Sequence, residues 1–288
     1  MSSLGKIWFA VRSKLFGKPS PTVAVLRFQG VIGADGPMKN AINMNAYASH
    51  ISKAFKTPGI AAVALQINSP GGSPVQSGLI MDRIRQMASE KDIPVLAFAE
   101  DVAASGGYML SLAADEIFAH EVSIVGSIGV ISAGFGFPKL MEKYGVERRL
   151  YTAGESKAML DPFSEENEKD IERIKEIQKE VHEYFKSIVR DRRGKRLKSP
   201  RGKIFSGDVF TGKEAIKLGL IDDIGDMRTV LRERFGTKVK LKLFEEKKPK
   251  LSKLLSMGSQ SNTNIAGDIA KSALSTIEER LIWNRFGL

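Results

Sequence analysis

The chain has 288 residues, 42% of them hydrophobic, enough for one α/β domain with appendages. It contains no cysteine, which excludes a thiol nucleophile, a disulfide frame and a cysteine-based zinc site. The formal net charge of +11 points to an anionic partner, but no RNP-like, zinc-finger or helix-turn-helix signature is present. Aromatic residues do not interleave with the basic runs Lys6–Lys18, Arg190–Lys203 and Lys238–Lys253, so nucleic acid is not expected and these runs read as solvated faces and tails.

No apolar run reaches the 18 residues of a membrane-spanning helix. Over residues 1–18, Leu4, Ile7, Trp8, Val11, Leu15 and Phe16 recur at helical spacing beside Lys6, Arg12, Lys14 and Lys18. This is the pattern of an amphipathic helix lying on an anionic bilayer. The alternative is a helix docked on its own domain or on a sister subunit. Neither a continuous apolar stretch nor a small-residue cleavage site marks a secretory signal. The expected location is peripheral, on the cytoplasmic face of the inner membrane, or cytoplasmic.

After a Gly-Pro linker at 17–21, Thr22–Phe28 reads as a buried strand running into a turn-rich stretch at 30–37. A helix is predicted over 41–56. A second buried strand, Ile60–Ile67, ends at Asn68-Ser-Pro-Gly-Gly72, and a helix follows over 76–89. The third strand, Pro94–Ala99, turns at Glu100–Ala104 into a helix over Gly106–Ala114. Continuous apolar strands alternating with helices predict a parallel sheet covered on both faces. Glu116–His120, Gly126–Ser132 and Arg148–Tyr151 extend it. A long helix is predicted from Ser164, as N-cap, to Arg193, with Ile171, Ile174, Val181, Phe185 and Ile188 as its apolar stripe. Helices at 211–218 and 226–235 close a domain over 22–235. Residues 236–288 read as a basic tail with a short helix near its end.

Ser105 follows a strand, precedes a probable helix start and is trailed by Gly106 and Gly107. Amides at a helix start point outward with partial positive charge, so an oxyanion formed at Ser105 would meet the Gly106 N–H. A serine N-cap with packing glycines accounts for the same residues. The Gly71-Gly72 loop also follows a buried strand, and ligand sites gather at the carboxyl ends of parallel strands, so it can supply a second donor. A base is needed. His120, 15 residues beyond Ser105, is one candidate; His50 and His182 fall in predicted helices. Lys157 is the other. A lysine base must be neutral, which requires apolar surroundings; Ala158, Met159 and Leu160 follow it, while Glu155 lies two residues before.

Taken together, Asn68-Ser-Pro-Gly-Gly72, Ala104-Ser105-Gly106-Gly107-Tyr108, Gly126-Ser127-Ile-Gly-Val130 and Gly154-Glu-Ser-Lys157 resemble, in order and spacing, the signal peptide peptidase A family. Phe210-Thr-Gly-Lys-Glu-Ala215 and Leu218-Gly-Leu-Ile-Asp222 resemble that family's closing motif. The similarity spans about residues 22–235. The Ser-Pro-Gly-Gly element alone is shared with the Clp-type protease. The resemblance implies a crotonase-like ββα spiral with a long helical extension, assembled as a homo-oligomeric ring or dome. It further implies Ser105 as nucleophile, Lys157 as general base 52 residues later, Gly72 and Gly106 as oxyanion amides, and Ser127 as the group orienting the lysine. Substrates would be cleaved signal peptides or other membrane-derived or unfolded peptides, with no metal and no cofactor required. In the family's tandem-duplicated long form the serine and lysine come from different halves, so a single-copy chain would complete its site between subunits. An acyl-CoA hydratase or isomerase on the same fold, and a non-catalytic membrane scaffold, are the alternatives. Members of the family commonly start with a transmembrane anchor, whereas residues 1–18 here are expected to form at most a surface helix.

Overall fold

The computed structural model describes residues 20–33, 41–154, 156–198, 203–245 and positions 283, 284, 286 and 287. The expected helix at 1–18 and most of the tail beyond 245 lie outside the described residues. Three long strands form the centre: β1 (Thr22–Gln29), β2 (Ile60–Ser69) and β3 (Val95–Ala104). They pair in parallel, with β2 in the middle. Helix α1 (Met44–Phe55), capped by the Asn43 side chain accepting from the Ala46 N–H at 2.9 Å, links the first two strands. Helix α2 (Pro74–Lys91), with proline at its first position and Ser73 as cap, links the second and third.

Beyond β3 the chain forms α3 (Gly106–Ser111), β4 (Glu116–Ala119) and β5 (Ile124–Gly126). Both short strands pair with β3: Leu96–Ala99 takes β4, and Val102–Ala104 takes β5. This fork turns the sheet into a spiral. Then come α4 (Pro138–Lys143), the long α5 (Glu168–Arg193), β6 (Val209–Thr211), α6 (Gly212–Leu218), β7 (Asp223–Ile224), α7 (Met227–Phe235) and β8 (Lys240–Phe244). The main path of the sheet runs β6-β5-β3-β2-β1-β8, with β7 joined to β4. All pairings are parallel except β5 with β6. The fold is mixed α/β with a mostly parallel sheet covered by helices.

The uninterrupted apolar character of β1–β3 follows from burial on both faces. Ala24, Leu26 and Phe28 enter the large core with Ile51, Ile80, Ile84 and Tyr108. Their neighbours Val23 and Val25 enter a second cluster, with Ala62, Phe98, Phe118 and Leu231 of α7.

The elements differ from the sequence-based expectations in several places, beginning with α4, β6 and β7, which were not expected. β3 does not turn at Glu100; it continues to Ala104, because the polar residues there are paired across the sheet. Gln66 donates to Glu100 at 2.5 Å, and Asn68 donates to Asp101 at 2.7 Å. Residues 127–132 leave the sheet after β5. Residues 148–151 are not a strand: Arg148 instead bonds both carboxylate oxygens of Asp161, at 3.1 and 3.2 Å. The long helix begins at Glu168 with Asn167 as cap, since the Ser164 hydroxyl is engaged by Asp161. Residues 240–244, expected in the tail, form β8 against β1 and carry the sheet past position 235.

The C-terminal half of α5 is fastened by Arg193, 2% exposed. Its guanidinium donates to both oxygens of Asp222 (2.8 and 3.1 Å) and to the Gly219 carbonyl (2.8 Å). Asp222 also accepts from the Ile117 N–H at 2.7 Å. Burial pushes the Asp222 carboxyl up, but the Arg193 and Ile117 hydrogen bonds and the charges of Arg193 and Arg196 outweigh it. The net position is below the ordinary carboxylate range. Because the folded value is depressed, this contribution is present above the unfolded value and is lost as pH falls through the folded one. Removing one partner of a buried pair strands the other charge. Asp222→Ala is therefore expected to cost about 3–5 kcal/mol by urea unfolding at neutral pH. It should also flatten the acid limb of the stability profile; an unchanged midpoint would contradict this role.

Candidate active site

β2 and β3 end beside each other: the register shifts after the Ile67–Ala99 pair, as β3 gains two residues, and brings Ser69 opposite Ala103. Their following loops therefore emerge side by side. The contact between them is so close that only glycine fits: a Cβ on Gly71 would lie 2.7 Å from the Ser105 Cβ and 2.8 Å from the Gly106 nitrogen. A Cβ on Gly107 would lie 2.5 Å from the Ser69 carbonyl oxygen.

Ser105 has φ +52° and ψ −121°, a conformation that costs a non-glycine residue on the order of 1–3 kcal/mol. Its N–H donates to the Gly126 carbonyl at 2.8 Å, which pins it in place. Ser105 occupies the N-cap position of α3, but its side chain makes no capping bond. The hydroxyl is thus left half-exposed at the strand end, so helix capping does not account for the serine. The Gly106 N–H is the first of the helix, with no intrahelical acceptor.

Gly72 is oriented by a parallel bridge to Ile32. The Ile32 N–H donates to the Gly71 carbonyl, and the Ser73 N–H donates to the Ile32 carbonyl, both at 2.8 Å. With its neighbours bonded to Ile32, the N–H of Gly72 faces away from that bridge. Its nitrogen lies 3.4 Å from where a Cβ of Gly106 would sit. Two backbone amides thus flank Ser105. The buried Ser69 hydroxyl supports this loop by accepting from the Gly71 N–H at 3.2 Å, a role that no local sequence pattern marks.

Ser127 lies one residue beyond the Gly126 carbonyl that holds Ser105. It is buried, has φ +52°, and its N–H donates to the Asp208 carbonyl at 2.7 Å. Of the four described non-glycine residues with positive φ, two are Ser105 and Ser127. The other two, Asp92 and Leu160, lie away from these loops. His182 of α5 bonds the neighbouring Ile128 carbonyl at 3.0 Å, a tie that nothing in the sequence pattern marked.

Lys157 stands apart. It is exposed on the arm formed by residues 130–167, its N–H donates to the Gly154 carbonyl at 3.2 Å, and its ammonium has no hydrogen bond or ion pair among the described residues. No contact joins it to Ser105, Ser127 or the two glycines. His120, the rival base, is exposed; its ring accepts weakly from the Val122 N–H at 3.4 Å within its own turn, at the end of the strand paired to the other half of β3. Among the described residues no group of three or more His, Asp or Glu side chains could hold a metal ion, and no helix is long and apolar enough to cross a membrane.

Residues 87–241 match the profile of peptidase family S49, a stretch that includes Ser105, Ser127 and Lys157 and leaves Gly72 outside. The chain is 47% identical to a Brucella abortus protein named Na(+)/H(+) antiporter NhaA, over 92% of this chain and 37% of that one. It is 32% identical to the chloroplastic serine protease SPPA of Arabidopsis thaliana, over 71% of this chain and 31% of the other. It thus spans about a third of the length of these relatives. Among solved structures it is similar to the membrane-bound stomatin-specific protease 1510-N, with 17% identity, a TM-score of 0.48, and coverage of 84% of this chain and 99% of that one. With more than half of its length matched by the family profile, the chain belongs to peptidase family S49.

Proposed function

We propose that this chain is a serine endopeptidase acting through a Ser105 acyl-enzyme, with Lys157 of a neighbouring copy as general base. The observation that carries this reading is the strained, half-exposed Ser105 with the amides of Gly72 and Gly106 beside it, the arrangement an acyl transfer needs for its nucleophile and oxyanion. Neutral Lys157 takes the Ser105 proton as the oxygen bonds to the scissile carbonyl carbon. The two amides hold the resulting oxyanion. Collapse breaks the C–N bond, and Lys157 returns the proton to the leaving amine. Water, deprotonated by the same lysine, then cleaves the ester and restores the serine. Ser127, on the loop that also holds Ser105, orients the amine.

The exposure of Lys157 supports a base supplied between subunits. A lysine base has to leave water, and its own chain leaves this one in it. The substrates proposed are peptides with apolar stretches, such as cleaved signal peptides. The antiporter name of the Brucella relatives is not transferred, since the shared part is a third of those proteins and carries the features of a hydrolase. The basic segment 1–18 is proposed to hold the enzyme at an anionic membrane surface.

Ser105→Ala and Lys157→Ala should each lower kcat on a casein or peptide reporter by at least about a thousandfold with the fold intact. Lys157→Arg should be equally inactive, because a guanidinium stays charged. His120→Ala should keep its activity, and a dead, folded His120→Ala enzyme would overturn the lysine assignment. Co-expressed Ser105→Ala and Lys157→Ala chains should recover part of the lost rate if the site forms between copies. Mixed assemblies confirmed by mass and still inactive would restrict the dyad to one chain. Deleting residues 1–18 should abolish salt-sensitive binding to anionic liposomes and spare hydrolysis of a soluble peptide; equal binding by both forms would remove the anchor.

A further inference from the structure

Between Ile128 and Phe185 no described residue is buried. The chain leaves the core at Ile128, which is fully enclosed, and returns to it at Phe185 on α5. The excursion between them, residues 129–184, includes Lys157. A side-chain bond joins its two ends: the His182 ring meets the Ile128 carbonyl through Nε2 at 3.0 Å.

The exit of the excursion is the turn that serves the site. The Ser105 N–H donates to the Gly126 carbonyl at 2.8 Å, and the Ser127 N–H donates to the Asp208 carbonyl at 2.7 Å. The Gly129 N–H turns back to the Ser127 carbonyl at 3.0 Å, which puts Ile128 at the tip of a three-residue turn. No backbone N–H of the described residues bonds the Ile128 carbonyl. Because Ile128 is 0% exposed, water cannot reach that acceptor, and His182 supplies the donor it needs.

The return of the excursion is fixed by the fastened half of α5. Phe185 and Val189, three and seven residues past His182 and on the same face, are buried, and Arg193 beyond them pairs with Asp222. A carbonyl only accepts, so the nitrogen facing Ile128 carries its hydrogen, in the neutral ring and in the imidazolium alike. The tie holds in either state of the ring, and this nitrogen is not a free base.

We infer that His182 is a positioning residue, whose bond to the Ile128 carbonyl closes the neck of the excursion 129–184 and fixes the turn that carries Ser127 and holds Ser105. Without it the Gly126 carbonyl would shift, and the strained backbone of Ser105 would be free to relax. The Ser127 hydroxyl would lose its bearing at the same time. The effect on hydrolysis rests on the proposed Ser105 mechanism; the closing of the neck does not.

Three full-length variants separate the hydrogen bond from bulk. His182→Leu keeps most of the volume and removes the donor. His182→Gln puts an amide N–H near the place of Nε2, and His182→Asn carries the same amide too short to reach. In hydrogen–deuterium exchange, the Ser105 amide and segment 124–130 should exchange at least about tenfold faster in the Leu and Asn variants, with the Gln variant close to wild type. On a peptide reporter, kcat should fall about ten- to hundredfold in the Leu and Asn variants while KM stays within about twofold, and the Gln variant should recover most of the loss. If the Leu variant does not fold, the Asn and Gln variants carry the comparison. A Gln variant as poor as the Asn variant would overturn the inference, since the hydrogen bond would then not be what the histidine supplies. Wild-type exchange in the Leu and Asn variants, or a raised KM with kcat unchanged, would overturn it as well. A Ser105→Ala chain that still hydrolyses the reporter defeats the proposed mechanism instead, and the exchange rates alone then decide whether His182 closes the neck.

Discussion

The parallel pairing of β2 with β3, with its register shift between the Ile67–Ala99 and Ser69–Ala103 pairs, is the constraint on which the site depends. It delivers two glycine loops to the same level of the sheet, one carrying Gly72 and the other Ser105. Side chains would keep such loops apart; here the Gly71 α-carbon is packed so closely on Ser105 that a methyl group would overlap it. The polar ladder over the last residues of these strands spans the register shift and ties its two sides together. Arg27 of β1 reaches Gln66 of β2 at 3.2 Å, Gln66 reaches Glu100 of β3, and the Asn68 side chain both donates to Asp101 and accepts from the Val102 N–H. A slip of one residue would break every one of these pairs and face the strand's core residues the wrong way.

A second set of buried bonds determines which part of α5 belongs to the domain. Arg193 and Asp222 bind the last turn of the helix to the closing segment, and Phe185, Ile188 and Val189 are buried beside it. The first half of the helix has no such attachment. Ile171, Ile174 and Val181, which the sequence pattern grouped into a single stripe, are only half-buried, whereas Phe185 and Ile188 are in the core. One amphipathic stripe thus serves two environments, and its period cannot say where one gives way to the other.

That limit marks what could be read in the sequence. The central strands were legible because burial on both faces leaves an unbroken apolar run, and α1, α2, α6 and α7 were legible from their periodicity and caps. Ser105 and the two glycine loops stood out because chemistry and turn geometry want the same residues there. β8 was missed because Lys240-Leu-Lys-Leu-Phe244 on a sheet edge reads, locally, like the rest of a basic tail. The continuation of β3 was missed because charged Glu100 and Asp101 argue for a turn until their partners on β2 are known. Lys157 was legible as a residue type in an apolar context, but no local pattern could tell that the context belongs to an arm standing in water.

The arm is where fold and chemistry make opposite demands. A strained serine held by buried bonds needs a rigid scaffold, and Ser105 has one in the Gly126 carbonyl, the Gly71 contact and α3. A lysine base needs dryness, and dryness is a property of packing. In the proposed mechanism the chain puts the first requirement in its core and leaves the second to association, so that a lone copy holds a formed nucleophile without a working base. Such a division confines hydrolysis to the assembled state. It also accounts for an arrangement that would otherwise be costly, in which apolar side chains between Val130 and Phe163 are exposed rather than buried in the core. The same physical term, burial of apolar surface, would then both build the assembly and strip water from the lysine.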